Sequence, residues 1–301
     1  MPSSVGRALH RSHRNSIAAA VTFQARAVLL LVGEGQSALV ASTSSTPSLA
    51  ICYLPSVMHL TLYSWHGYIG GSMERKALTA AMEDYLKAAY LLAERDEEIT
   101  VLSLSQALGV TAPSVTAMVK RLVAIGLMAH QPYQAIALTP GGEAVALEVV
   151  RHHRLLELYL AEFLGVPWEA VHAEADRLEH HISEELEDRI ADRLGQPSFD
   201  PHGDPIPTRE LVLPARTLHP LGDLPPGTEA RVARVAQQEP ATLRYLEAIG
   251  LRPGTPVLLI STVRSAGVVT LEVAGAQHTI GVELAGQILV APKNATDGVG
   301  R

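Results

Sequence analysis

The sequence predicts a mainly α-helical chain with a β C-terminal domain, and three observations carry that prediction. Apolar residues recur at helical spacing from residue 73 to about 195. The segment GQPSFDPHGDPIP, dense in proline and glycine, then interrupts the periodicity. Beyond it, residues 225–293 alternate apolar and polar positions in strand fashion around one helix.

A chain of 301 residues with 47% apolar content can bury more than one core. The expected divisions are 73–140, 141–210, a linker at 211–224, and a small barrel at 225–295. A net charge of −7 argues against non-specific coating of nucleic acid but leaves room for a locally basic reading head. The single cysteine, Cys52, excludes an intramolecular disulfide framework and a thiolate zinc cage, and it suits a cytoplasmic protein. No apolar run reaches the roughly 20 residues of a membrane span, so no membrane partner is expected. Residues 1–72 differ from the rest, with one acid (Glu34), four arginines and no sustained periodicity. They read as a spurious or disordered extension before an initiator at Met73.

In order from Met73, AMEDYLKAAYLL forms an amphipathic helix with Met82, Leu86, Ala89 and Tyr90 on its core face and Glu83 and Asp84 beside it. Residues 99–142 then contain no Asp or Glu, although the chain is acidic on both sides. Within them Leu102, Ala107 and Leu108 give a short helix its apolar face, and Gly109 and Val110 supply a turn. Thr111 caps a second helix with Pro113 in its first turn, and Val115, Met118, Val119 and Leu122 face inward. Two helices joined by a short glycine-containing turn make a helix-turn-helix. On the exposed face of the second helix, Thr111, Ser114 and Thr116 suit base edges or phosphates, while Lys120 and Arg121 reach phosphates. A carboxylate there would oppose DNA, which gives the acid-free stretch a purpose. LMAHQPYQAIALTPGG reads as two short strands turning near Pro132 and Gln134, a wing, and Thr139-Pro140 opens the next helix.

VHAEADRLEHHISEELE, residues 171–187, repeats Val171, Ala175, Leu178, Ile182 and Leu186 at helical spacing. His172, Asp176, Glu179 and His180 fall along one stripe of that helix. Imidazole and carboxylate together suit a divalent first-row ion, and a stripe on one helix needs donors from elsewhere to close a coordination sphere. VRHHRLLELYL offers His153 and Glu157 at i, i+4, a spacing that more often marks a surface pair.

The segments MEDYL, LGVTAPSVTAMVKRL, RHHRLLE, VHAEADRLEHHIS and DPHGDPIP, in this order over residues 73–210, resemble the diphtheria toxin repressor family of metal-dependent transcription regulators. The resemblance implies a winged helix-turn-helix, a helical metal-binding and dimerisation domain, and a small Src-homology-type β-barrel. It implies a primary metal site of Asp84, Asp176, Glu179 and His180. An ancillary site of His153, Glu157 and His172 would be completed from the C-terminal domain by Gln237 or Glu239. It further implies a homodimer that grips a palindromic double-stranded DNA operator when metal is bound, repressing metal-uptake genes. The DNA-contacting set is then Thr111, Pro113, Ser114, Thr116, Lys120, Arg121 and Gln134.

The sequence also departs from its relatives. Iron-responsive members carry methionine and cysteine where Asp84 and Asp176 stand here, and carboxylates favour a harder ion, so manganese(II) is expected ahead of iron(II) or zinc. The short manganese regulators have a glutamate at the position of Lys87, where a lysine repels a second nearby cation. Ala117 replaces a glutamine of the recognition helix, so the operator need not be shared. In the C-terminal part, AIGLRPG resembles a turn of small ferrous-iron transport accessory domains. Two other classes compete: a metalloenzyme holding a catalytic ion on Asp176, Glu179 and His180, and a metal buffer or transport accessory. The chain has no HExxH, phosphate loop or nucleophile elbow, and a helix-turn-helix serves neither class. A non-enzymatic regulator is the expected function.

Overall fold

The computed structural model describes residues 78–130 and 135–292, all within the unit Ser72–Arg301. The extension 1–72, Met73, and the wing turn at Pro132 and Gln134 lie outside the described residues. Helix α1 spans Ala80–Glu94 and buries Met82, Leu86, Ala89 and Tyr90, the apolar set that its spacing predicts, together with one lysine, Lys87. Thr100 and Ser103 form a reciprocal capping box that starts α2, Val101–Leu108, and Gly109 in the left-handed conformation ends it. The apolar face of α2 differs from expectation. Leu102 is 66% exposed and Ala107 is exposed, whereas Leu104 is buried with Val101 and Leu108 packed beside it. That set follows the i, i+3, i+4 rule more closely than the expected one.

Helix α3, Ala112–Ala124, follows after a 109° turn and buries Val115, Val119 and Leu122. Strands β1 (Met128–Ala129) and β2 (Ala137–Leu138) pair antiparallel to form the base of the wing. Thr139 then caps α4, Pro140–Leu164, by accepting from the Gly142 amide. A Cβ at Gly142 would lie 1.9 Å from the Leu127 carbonyl oxygen, so this glycine lets the long helix press against the reading unit. Among the described residues no single helix is long and apolar enough to cross a membrane.

Residues 171–187 do not form one helix. Helix α5 covers Val171–Leu178, and α6 covers Glu184–Arg193. Ser183 caps α6, and Glu184, Glu185 and Glu187 sit in its first turn, where the helix dipole favours negative charge. Leu178 and Leu186, counted as core in the continuous pattern, are 40% and 45% exposed. The break at Glu179–Ser183 turns the expected stripe into a corner.

The C-terminal part is a six-stranded antiparallel sheet in the order β3-β8-β4-β5-β6-β7. Its strands are β3 (His219–Pro220), β4 (Glu229–Val235), β5 (Pro256–Val263), β6 (Val268–Val273), β7 (Ala276–Gly281) and β8 (Ile288–Pro292). Helix α7, Pro240–Ala248, lies between β4 and β5, and the short α8, Val282–Gly286, packs against β7 and the 3-10 turn Leu221–Asp223. Register shifts in β4 and β5 bend the sheet around a core of Val232, Leu259, Leu271 and Val290. The sheet therefore begins at His219, inside the stretch expected to be linker, because a two-residue strand containing proline carries no alternation. Trp168, from the loop after α4, is buried in this same core. At Gly203, with φ +86°, a Cβ would meet the Ala233 carbonyl oxygen at 2.0 Å, so loop 200–205 lies directly on β4.

Candidate metal centre and reading surface

Thr111, Pro113, Ser114, Thr116, Lys120 and Arg121 are all exposed on α3. Thr111 does not cap the helix with its side chain; its hydroxyl lies 3.0 Å from that of Ser114. The first amides of α3 therefore keep no side-chain cap and remain open to an anion. Thr116 donates to the Ala112 carbonyl, leaving its methyl and oxygen lone pairs outward.

Four elements meet at the acidic corner. Helix α1 supplies Glu83, Asp84 and Lys87; α4 supplies His153 and Glu157; α5 supplies His172 and Asp176; the turn after α5 supplies Glu179 and His180. Asp84, Glu179 and His180 place one donor atom each within 4.8 Å of one another. His180 Nε2 lies 2.8 Å from Asp84 Oδ1 and 3.3 Å from Glu179 Oε1, and its Nδ1 lies 2.6 Å from Glu83 Oε2. Two hydrogen bonds, donated to Asp84 and then Glu83, outweigh burial and push the His180 imidazole up to about 10.

Asp176, expected beside Asp84, groups instead with His153 and His172. The Lys87 ammonium explains the placement: it donates to Asp176 Oδ1 at 2.9 Å and to Glu179 Oε2 at 2.7 Å. Burial raises the Asp176 carboxyl, but the Lys87 charge and hydrogen bond together with the His153 and His172 charges outweigh it, for a net lowering. His153 Nε2 lies 3.0 Å from both Glu157 Oε1 and His172 Nδ1, so the three residues grouped as ancillary do meet. Burial opposes protonation of His153, but the Glu157 charge and hydrogen bonds raise it to about 9.

Gln237 is exposed, and Glu239 spends its carboxylate on capping α7 at the Thr242 amide. Neither joins the cluster, because both precede a helix start that faces solvent. Loop 200–204 supplies the further donors: Glu157, Asp200 and His202 form a third, fully buried group within 4.8 Å. Asp200 Oδ1 accepts from the His202 and Asp204 amides, while its Oδ2 and His202 Nδ1 are buried without a hydrogen-bond partner. Burial and the neighbouring Asp204 and Glu157 charges hold the Asp200 carboxyl well above the usual range. Orphaned buried donors of this kind fit a divalent cation. DPHGDPIP was visible in the sequence, but nothing local gave its aspartate or histidine a role. A further group, Glu148, His152 and Glu184, has its imidazole engaged on both sides, at the Glu179 carbonyl (3.0 Å) and Glu187 Oε2 (2.8 Å).

Residues 77–136 match the N-terminal DNA binding domain of iron dependent repressors, and 139–208 match their metal binding and dimerisation domain. Residues 219–292 match the FeoA domain. The diphtheria toxin repressor of Corynebacterium efficiens is 32% identical over 200 residues, covering 62% of this chain and 85% of that protein. The chain belongs to the diphtheria toxin repressor family. Members of this family are transcription regulators rather than enzymes. The match to the iron-dependent repressor IdeR of Mycobacterium tuberculosis is 38% identical over 130 residues, 43% of this chain and just over half, 56%, of that relative. A solved manganese-dependent transcriptional repressor in complex with manganese superposes with a TM-score of 0.66 at 33% identity, covering 70% of this chain and 99% of its own. Iron and manganese regulators are thus both among the relatives of this family member.

Proposed function

We propose that the chain is a metal-dependent DNA-binding regulator that acts as a homodimer on a palindromic operator and represses metal-uptake genes in the cytoplasm. One observation carries the reading: Asp84 on α1, beneath the reading unit, lies 2.8 Å from His180 of the metal-binding part, and with Glu179 the three place one donor atom each within 4.8 Å of one another. A bound divalent ion would supply one positive centre shared by the two parts. Asp84 then holds α1, and through the common core α2 and α3, in one orientation relative to α4 and α5. Exposed hydroxyls and basic side chains on α3 are thereby set at a fixed spacing in the dimer, which a palindrome requires. An effector bound better by one arrangement shifts the population toward it without touching DNA.

Manganese(II) is the proposed ion, with iron(II) the alternative, because the donors are carboxylate and imidazole with no sulfur. The name of the manganese-bound relative supports the first, and that of IdeR supports the second. The test is a mobility shift on DNA upstream of metal-transport genes, using metal-stripped protein titrated with manganese(II) or anaerobic iron(II). Selective binding that needs metal and is lost in Asp84→Ala is expected. Equal binding with and without metal would overturn the sensor reading.

A further inference from the structure

His202 sits between two parts of the molecule. Its Nδ1 faces Glu157 on α4, 3.6 Å from Oε2, and has no hydrogen-bond partner there. Its Nε2 donates to the Trp168 carbonyl at 3.3 Å, and its ring stacks on the Trp168 indole, with centroids 5.6 Å apart and planes 22° from parallel. A carbonyl can only accept, so in the neutral ring the proton is on Nε2 and the Nδ1 lone pair turns toward Glu157, in the group with Asp200. Trp168 comes from the loop between α4 and α5, yet its indole is buried in the C-terminal core, with the Arg252 guanidinium 5.2 Å from its ring centroid. The same sheet holds the His202 main chain, because the Val235 amide of β4 donates to the His202 carbonyl at 2.8 Å. Gln238 Nε2 donates to Asp204 Oδ2 at 2.6 Å and adds a second tie to loop 200–205. The C-terminal part thus grips the residue that offers a donor, whereas Gln237 and Glu239, the donors expected from it, stay outside the group.

We infer that Trp168 is a positioning residue for a divalent ion held by Glu157, Asp200 and His202, and that through it the binding of that ion is coupled to the seating of the C-terminal sheet. The inference extends the metal-dependent reading above and rests on it. One indole makes both contacts, so a displaced sheet leaves Trp168 without its core and His202 without a fixed stack. An ion that draws on Nδ1 requires the ring orientation that the stack and the Trp168 carbonyl set, so it favours the seated sheet. Coupling of this kind is reciprocal: the seated sheet presents His202 ready for the ion, and the displaced one leaves the ring free to turn. The sheet influences the ion without giving it a ligand. Loss of such an outer partner lowers metal affinity by roughly 10–100-fold.

The experiment titrates manganese(II) into the metal-stripped full chain by isothermal calorimetry, and follows backbone hydrogen exchange of the C-terminal sheet by mass spectrometry with and without the metal. Wild type is compared with Trp168→Leu, Trp168→Phe and Asp200→Ala, each checked by circular dichroism. The expected result is that Asp200→Ala loses one ion, and that manganese slows exchange in the sheet of wild type but not of Asp200→Ala. Trp168→Leu binds that same ion roughly 10–100-fold more weakly, loses the slowing, and keeps the affinity of the ion at Asp84, Glu179 and His180. Trp168→Phe, which keeps a flat ring, recovers most of both. Equal weakening of the two ions, or wild-type affinity and slowing in folded Trp168→Leu, overturns the inference and leaves the sensor reading standing. An ion count unchanged in Asp200→Ala overturns it too, and the sensor reading again survives on the other ion. Should Trp168→Leu not fold, wild type still decides, because slowing that is absent there, or equally present in Asp200→Ala, overturns the inference. A wild type that binds no manganese overturns both readings.

Discussion

At Glu179 the two carboxylate oxygens face different partners: Oε1 lies 3.3 Å from His180 Nε2, and Oε2 lies 2.5 Å from His153 Nδ1. Its burial at the corner after α5 leaves it no solvent to fall back on. Glu179→Gln should weaken manganese binding, read by isothermal titration, beyond the roughly 10–100-fold that loss of an outer partner costs. Glu83 is such an outer partner, holding His180 Nδ1 at 2.6 Å, so Glu83→Ala should fall within that range. A different buried group contributes to the acid limit of stability. Burial raises the Glu187 carboxyl, but hydrogen bonds and charge from His152 and Arg151 lower it overall. A carboxyl depressed in the folded state contributes stability above its unfolded value near 4.5, and that contribution is lost as pH falls below it. Unfolding free energies of wild type and Glu187→Gln from urea titrations should differ by about 3 kcal/mol at pH 7, and converge as the pH drops below 4.

Among the elements, α1, α3 and α4 were legible in the sequence because their apolar spacing is sustained, and α4 also takes its expected cap at Thr139. The corner between α5 and α6 was not. Apolar residues continue at helical spacing through it, but two of them, Leu178 and Leu186, face solvent, and the break is marked only by Ser183 followed by acids. Ser183→Ala should therefore lower stability by about 1 kcal/mol in thermal melts, with α6 losing its start. Lys87 was read as a repelling charge but not as a buried one. Its partners His153, Asp176 and Glu179 are 66, 89 and 92 residues away in sequence, and no local pattern reports them. Asp200 and His202 were missed for the same reason, since their role comes from Glu157 on α4. Conversely His153, Glu157 and His172 were grouped from the family resemblance, and the helices α4 and α5 bring them within 3.0 Å.

Across the whole described unit, a partly buried ionic chain links the three parts. Glu94 at the end of α1 lies 3.5 Å from Arg154 on α4 and 3.7 Å from Arg234 on β4, and Arg234 reaches Asp204 in the loop. Removing Arg234 leaves Asp204 without its cation, while Glu94 keeps Arg154. Arg234→Ala should cost about 2 kcal/mol and loosen the C-terminal sheet from the loop, seen as faster proteolysis between residues 206 and 228. The central claim concerns longer-range coupling, from the corner of Asp84, Glu179 and His180 to the exposed face of α3. Coupling between two sites is reciprocal, so DNA must tighten metal binding by the factor with which metal tightens DNA binding. The most direct measurement is the manganese(II) affinity of the full chain with and without saturating operator DNA, for wild type and Asp84→Ala. The account predicts a tightening of about 5- to 150-fold in wild type and none in the variant. An affinity that ignores DNA in wild type would contradict it.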